Sequence, residues 1–253
     1  MPRPAKRVAA NEPPSLFQFV RHVIHDDLPQ ITKWLATTPE LATMTLTKGA
    51  TRTVSTQFLF PEIAHHMYGG DTALHMAAVA SRLQVAKLLV AHGADFRARN
   101  RRGAEPLHYA ADADWADLSD PLKPSSYGRN QPELIAYLVS LGADPNARDK
   151  SGVAPLHRAV RHRIFIAVKA LLDAGADVRQ RNSAGSTPLH LAVQTTGASG
   201  SGSPVARIRQ EAILRLLLER GAKWSDKDDQ GNTPDQTARN AWVRNLVAEL
   251  KST

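Results

Sequence analysis

The chain has 253 residues, 42% of them hydrophobic, with 32 lysines and arginines against 24 aspartates and glutamates, a formal net charge of +8. That content can bury an extensive core, and the basic excess directs attention to acidic partners. The absence of cysteine excludes disulfides and thiolate chemistry, and no apolar stretch approaches the roughly 20 residues needed to cross a bilayer, so the expectation is a cytoplasmic chain without membrane insertion.

Residues 1–14 carry Arg3, Lys6, Arg7 and four prolines, a composition read as a disordered basic tail. From Ser15 the pattern changes. Leu16, Phe17, Phe19, Val20, Val23 and Ile24 suit one amphipathic helix, and Leu28, Ile31, Trp34 and Leu35 a second after Asp26-Asp27. Residues 15–69 thus form a divergent first unit that caps the remainder of the chain, plus an irregular connection. Within that connection Val54, Phe58 and Phe60 leave room for a strand pair.

Beyond residue 69 the chain repeats itself. Asp71-Thr72-Ala73-Leu74-His75, Glu105-Pro106-Leu107-His108, Ala154-Pro155-Leu156-His157 and Thr187-Pro188-Leu189-His190 each open a segment. The segments close with Gly93-Ala94-Asp95, Gly142-Ala143-Asp144, Gly175-Ala176-Asp177 and Gly221-Ala222-Lys223. The glycines before the openings, Gly70, Gly103, Gly152, Gly185 and Gly231, are spaced by 33, 49, 33 and 46 residues. The two long units carry 16 and 13 extra residues, both expected between the two helices of a unit. Thr72 and Thr187 are placed to cap a helix, Pro106 and Pro188 to occupy its first turn, and Gly93, Gly142, Gly175 and Gly221 to stop the second helix. Glu105 and Ala154 depart from this, and Ala154 has no oxygen with which to cap. Val85, Leu88 and Leu89, Leu134, Ile135 and Leu138, Val168, Leu171 and Leu172, and Ile213, Leu214 and Leu217 recur at helical spacing as the stacked core. A fifth opening, Thr233-Pro234, leads to a closing helix over residues 241–250 with Trp242, Val243, Leu246 and Leu250.

The 33-residue period with Thr-Pro-Leu-His and Gly-Ala-Asp resembles the ankyrin repeat, over about residues 70–250. The resemblance implies an all-α solenoid of stacked helix-turn-helix units with short hairpin fingers and two loop insertions, its repeats over 70–229 and a C-terminal cap over 230–253. It implies that His75, His108, His157 and His190 brace adjacent units. It also implies a partner surface made of the concave groove and the fingers, and a binding scaffold rather than an enzyme.

Four residues before the spacing glycines stand Arg99, Arg148, Arg181 and Lys227, with Arg97, Arg101, Arg102, Lys150 and Arg179 beside them. On the ankyrin pattern these make a basic row along the fingers, partly neutralised or solvated by Asn100, Asp149, Asn182 and Asp228. Val79, Asp112, Arg161 and Gln194 should face the groove, with Tyr109 and Arg158 within reach. The expected binding residues are therefore Arg99, Arg101, Arg102, Arg148, Lys150, Arg181, Asp112, Arg158, Arg161 and Gln194, and the expected partner a protein with an acidic surface. Nucleic acid is the alternative ligand of the basic row, although the 6% aromatic content offers no stacking platform. A regulatory subunit of an enzyme is a further alternative.

The first insertion holds Asp112, Asp114, Asp117 and Asp120 around Trp115, a solvated acidic loop rather than a calcium loop, which should leave the molecule dipolar. The second, Thr195 to Pro204, is rich in glycine and serine without a phosphate-loop ending. Arg207 and Arg209 behind it leave a weak anion site open. No histidine spacing suits a metal, no nucleophile elbow or carboxylate pair supports catalysis, and no cofactor is expected.

Overall fold

In the computed structural model, residues 15–51, 55–113, 120–123, 130–194 and 202–252 are described. The expectations placed on the basic tail, on Val54, on Asp114, Trp115 and Asp117, and on the glycine-serine run from Thr195 to Ser201 lie outside them.

Twelve α-helices occupy the described residues. An inner row comprises α1 (Leu16–Ile24), α3 (Ala73–Val79), α5 (Pro106–Ala110), α7 (Pro155–Arg161), α9 (Pro188–Ala192) and α11 (Pro234–Thr237). The outer row comprises α2 (Leu28–Thr37), α4 (Leu83–Ala91), α6 (Gln131–Ser140), α8 (Phe165–Asp173), α10 (Pro204–Glu219) and α12 (Ala241–Ser252). Each inner helix packs on the next inner helix, and the outer row from α2 to α10 does the same. A residue at a given repeat position therefore shares its side of the molecule with its equivalents. The apolar residues singled out by period form one continuous core, with Val85, Leu89, Leu134, Leu138, Val168, Leu171, Leu214 and Leu217 all buried.

Helix starts are written locally, and in one recurrent way. In each of the four complete units the motif histidine accepts through Nδ1 from the backbone N–H at the cap, as at Thr72 (3.1 Å), Glu105, Ala154 and Thr187 (each 3.2 Å). Ala154 thus begins a helix without a capping side chain because His157 supplies half of the cap. The other ring nitrogen, Nε2, then donates to a carbonyl of the following unit: His75 to Ala104, His108 to Val153, His157 to Ser186 and His190 to Asn232, at 3.1–3.2 Å. This pairing fixes the tautomer, since Nδ1 accepts and Nε2 carries the hydrogen. All four rings are fully buried.

The fingers interlock through the backbone. Arg101 N–H donates to Gly69, Lys150 to Arg102, Ser183 to Ser151 and Asp229 to Ala184. Gly70 has φ +85°, and a Cβ there would stand 2.8 Å from Asn100 Cα of the next finger, so only glycine serves both the turn and the close approach. Asn100, Asp149, Asn182 and Asp228 do not serve as diffuse counter-charge. Each accepts through Oδ1 from the backbone N–H groups two and four residues later, which builds the finger turn.

The two insertions lie between inner and outer helices, after α5 and α9. In both long units the chain returns through a buried glutamine that donates to the carbonyls ending the inner helix: Gln131 to Ala110 and Ala113, and Gln210 to Ala192 and Gln194. The pair belongs to no motif of the repeat, and its one signal in the sequence is register, both glutamines standing 11 residues before their closing glycines. Part of the second insertion is helix: α10 runs 16 residues where α8 runs nine.

The irregular connection does contain a strand pair, β1 (Leu59–Phe60) and β2 (His65–His66), antiparallel with Phe60 opposite His65. Phe60 is buried against Phe17 of α1, ring centroids 4.6 Å apart, which anchors the hairpin to the N-terminal unit. Leu46 and Ala50 also bond to the backbone around Asp71 and Met67, so the connection lies along the first finger.

Candidate partner-binding site

The inner helices, the fingers and the hairpin enclose a concave groove of about 960 Å³. Its walls are the hairpin turn from Pro61 to His66, Tyr68, the finger residues Arg101, Arg102, Lys150 and Ser151, and the ends of the inner helices at Val79, Tyr109, Asp112, Arg158 and Arg161. Five lining residues are arginine or lysine and three are carboxylates.

The floor is a charge network. Arg158 of α7 donates to Asp112 at 2.8 Å and to Asp149 at 3.1 Å, with all three side chains mostly buried. Burial works against the charge of Arg158, but the two carboxylates outweigh it and raise its pKa above the usual arginine range. Burial likewise opposes ionisation of Asp149, yet its bonds from Val153, Arg158 and Ser151 leave its pKa below the ordinary carboxylate value. Asp149 therefore holds the finger turn with one oxygen and the groove floor with the other.

A second network lies beneath the first. Asp71, fully buried, accepts from Tyr109 Oη at 2.8 and 2.9 Å, from Asn100 Nδ2 at 2.9 Å and from the Tyr68 backbone at 2.6 Å. Burial and the neighbouring Asp71 push the Tyr109 hydroxyl well above its usual pKa, so it stays a donor. His65 sets its ring edge against Tyr109 at 4.9 Å, and burial lowers its pKa so that it is held neutral. Asp71 was visible in the sequence only as part of a repeat opening. Its signal was an acid where the other units carry Ala104, Val153, Ser186 and Asn232.

Of the residues expected to bind a partner, Arg101, Arg102, Lys150, Asp112, Arg158 and Arg161 line this one groove. Arg101 and Arg102 also lie over the Tyr68 ring, at 5.7 and 4.4 Å. Gln194 lies apart, in a second cavity of about 500 Å³ with Asp228, Asn232 and Arg239. The basic row along the fingers is not a set of unengaged cations. Arg99 donates to Gly103 at 3.0 Å and reaches the Arg148 carbonyl of the next finger, Arg148 donates to Gly152 at 3.4 Å, and Arg181 pairs with Asp229 at 2.7 Å. Arg99 and Arg181 thus reach from one unit to the next, whereas Arg148 closes its own finger turn. Arg207 and Arg209 do not form an anion site: Arg207 lies over Trp242, and Arg209 is buried with its Nε donating to Pro121 of the first insertion at 3.3 Å. In that insertion Asp120 pairs with Lys123 at 2.9 Å.

Among the described residues no group of histidines and carboxylates could hold a metal ion, and no helix is long and apolar enough to cross a membrane.

The model for ankyrin repeats in three copies matches residues 40–118 and 125–228. The chain is also similar to the human protein phosphatase 1 regulatory subunit 27, 30% identical over 101 residues, 40% of this chain and 52% of that protein. It is 50% identical over 42 residues to the human Notch-regulated ankyrin repeat-containing protein, 17% of this chain and 37% of that protein. With the NF-kappa-B inhibitor cactus of Drosophila melanogaster it shares 39% identity over 54 residues, 21% of this chain and 11% of that protein. The chain thus spans about half or less of the length of these relatives.

Proposed function

Because the chain belongs to the ankyrin-repeat family, we propose that it is a non-enzymatic protein-interaction module whose groove holds an extended, acidic segment of a protein partner. The observation that carries the reading is the convergence of Arg101, Arg102, Lys150 and Arg161 with the Tyr68 ring on one concave surface beside the hairpin. Cations ringing a groove raise the encounter rate of an acidic segment and penalise basic ones. Arg99 and Arg181 contribute chiefly by holding neighbouring fingers in register, and Arg148 by closing its own finger turn. A relative named as a phosphatase regulatory subunit favours a second reading, in which the bound partner is an enzyme that the module regulates.

Replacing Arg101, Arg102, Lys150 and Arg161 together by glutamate is expected to remove the proteins that co-purify with the unmodified chain, while circular dichroism still reports a helical fold. Retention of the same proteins would show that the groove is not the contact surface. Recovery of nucleic acid rather than protein with the unmodified chain, lost in this variant, would overturn the protein-partner reading.

A further inference from the structure

The concave side continues past the groove. The second cavity, of about 500 Å³, lies between the fingers at Ala184 and Asp228 and the ends of α9 and α11 at Gln194, Gln236 and Arg239. Gln194 follows Gly185 by nine residues, as Asp112 follows Gly103 and Arg161 follows Gly152, so both cavities are built from equivalent repeat positions. Each inner helix packs on the next, which puts equivalent positions on one side of the molecule. One extended chain can therefore lie in both.

The two cavities differ in chemistry. In the groove Arg158 is held by Asp112 and Asp149, which leaves Arg101, Arg102, Lys150 and Arg161 with Glu62 as the remaining carboxylate of the lining. The second cavity has one cation, Arg239, and one carboxylate, Asp228, so its charges cancel. It offers hydrogen-bond donors instead. The amide oxygen of Gln230 accepts from Asn232 at 3.3 Å and that of Gln236 from the Thr233 backbone at 2.9 Å, while each Nε2 has no partner among the described residues. The Arg239 guanidinium has none among them either. All three residues are exposed, so these donors are open to a ligand. Donors without an excess of charge suit acceptors without charge, and main-chain carbonyls supply those along any extended segment. A large apolar side chain has no seat, because Ala184 is the one apolar residue of the lining.

Resting on the groove as the contact surface, we propose that the second cavity holds the main chain of the same partner segment, its carbonyls accepting from Gln230, Gln236 and Arg239. The partner is then read in two parts, an acidic stretch over α5 and α7 and a neutral stretch of any sequence over α9 and α11. The two parts stand two inner-helix spacings of about 8–10 Å apart, which extended chain at about 3.3 Å per residue crosses in about five or six residues.

Titration of the full chain with labelled peptides tests this. The probes are six glutamates alone and the same block extended, at one end or the other, by three or by ten residues of alternating serine and alanine. Ten residues at one of the ends are expected to tighten binding about tenfold, the gain that two or three net hydrogen bonds supply, whereas three fall short of the cavity and change nothing. A polyethylene glycol spacer of the same length has no carbonyls and is expected to give no gain. In the double variant Gln230→Glu, Gln236→Glu the gain is expected to fall below about twofold, with the bare glutamate block binding as before. That variant keeps an oxygen for the Thr233 N–H, and at physiological salt its added charges lie beyond the screening length of about 8 Å from the groove. Should it melt early, Arg239→Ala gives the same readout. No gain from either ten-residue tail, an equal gain from the spacer, or a gain that survives in the variants would overturn the main-chain contact while leaving the groove. Failure of the glutamate block to bind with any tail would overturn both readings.

Discussion

Asp71→Ala is expected to lower the thermal midpoint by roughly 6–12 °C, the equivalent of about 3 kcal/mol in a chain of this size. The carboxylate is the common acceptor for Tyr109, Asn100 and the Tyr68 backbone, so truncation takes an acceptor from three donors at once, although Asn100 Nδ2 keeps its bond to Tyr109 Oη at 3.0 Å. Apolar replacement cannot compensate, because the donors belong to other elements. Tyr109→Phe should cost less, since Asp71 keeps two of its donors. The effect should also reach the groove: Tyr109 supports the His65 ring, and Tyr68 carries Arg101 and Arg102. A shift below about 2 °C in a thermal melt of Asp71→Ala would contradict the role given to this carboxylate.

Mild acid should unfold the stack well before it titrates the carboxylates of an ordinary domain. Burial lowers the pKa of His108 to about 4, and of His75 and His157 in the same direction. A base whose folded-state pKa lies below its unfolded value of 6.5 stabilises the fold fully above pH 6.5, and that stability is lost as pH falls toward 4. For His108 the difference of about 2.5 units corresponds to about 3 kcal/mol. The geometry explains the cost. Protonation puts a hydrogen on Nδ1, where the ring accepts from the Glu105 N–H. The thermal midpoint should therefore drop steeply between about pH 6.5 and pH 4.5, and more gently in His108→Asn, which is less stable at neutral pH. A midpoint flat across that interval would remove the histidine braces from the account.

The stack was legible because an ankyrin unit writes its own boundaries. Glycine at a finger turn, proline in a first helical turn and glycine after an outer helix are each dictated by local backbone geometry, and their 33-residue period transfers the inference from unit to unit. The basic row was legible as position but not as use. Whether the guanidinium of Arg99 meets solvent or the Arg148 carbonyl depends on how far the next finger is displaced, and the 49-residue spacing from Gly103 to Gly152 conceals that. The hairpin wall was the least legible part. Leu59–Phe60 and His65–His66 are two-residue strands, too short for alternation to register, and His65 comes to Tyr109 only because Phe60 is anchored on Phe17 in the N-terminal unit. Asp112 was expected in the groove from its repeat position. Its pairing with Arg158 spans 46 residues and the whole first insertion, which no local pattern encodes.

Hydrogen exchange of the unmodified chain, free and with its co-purified partner bound, tests the groove most directly. Exchange is expected to slow at the hairpin and Tyr68, at the fingers around Arg102 and Lys150, and at the end of α7 around Arg161. Slowing confined to the outer helices α4, α6 and α8, with the groove unchanged, would contradict it.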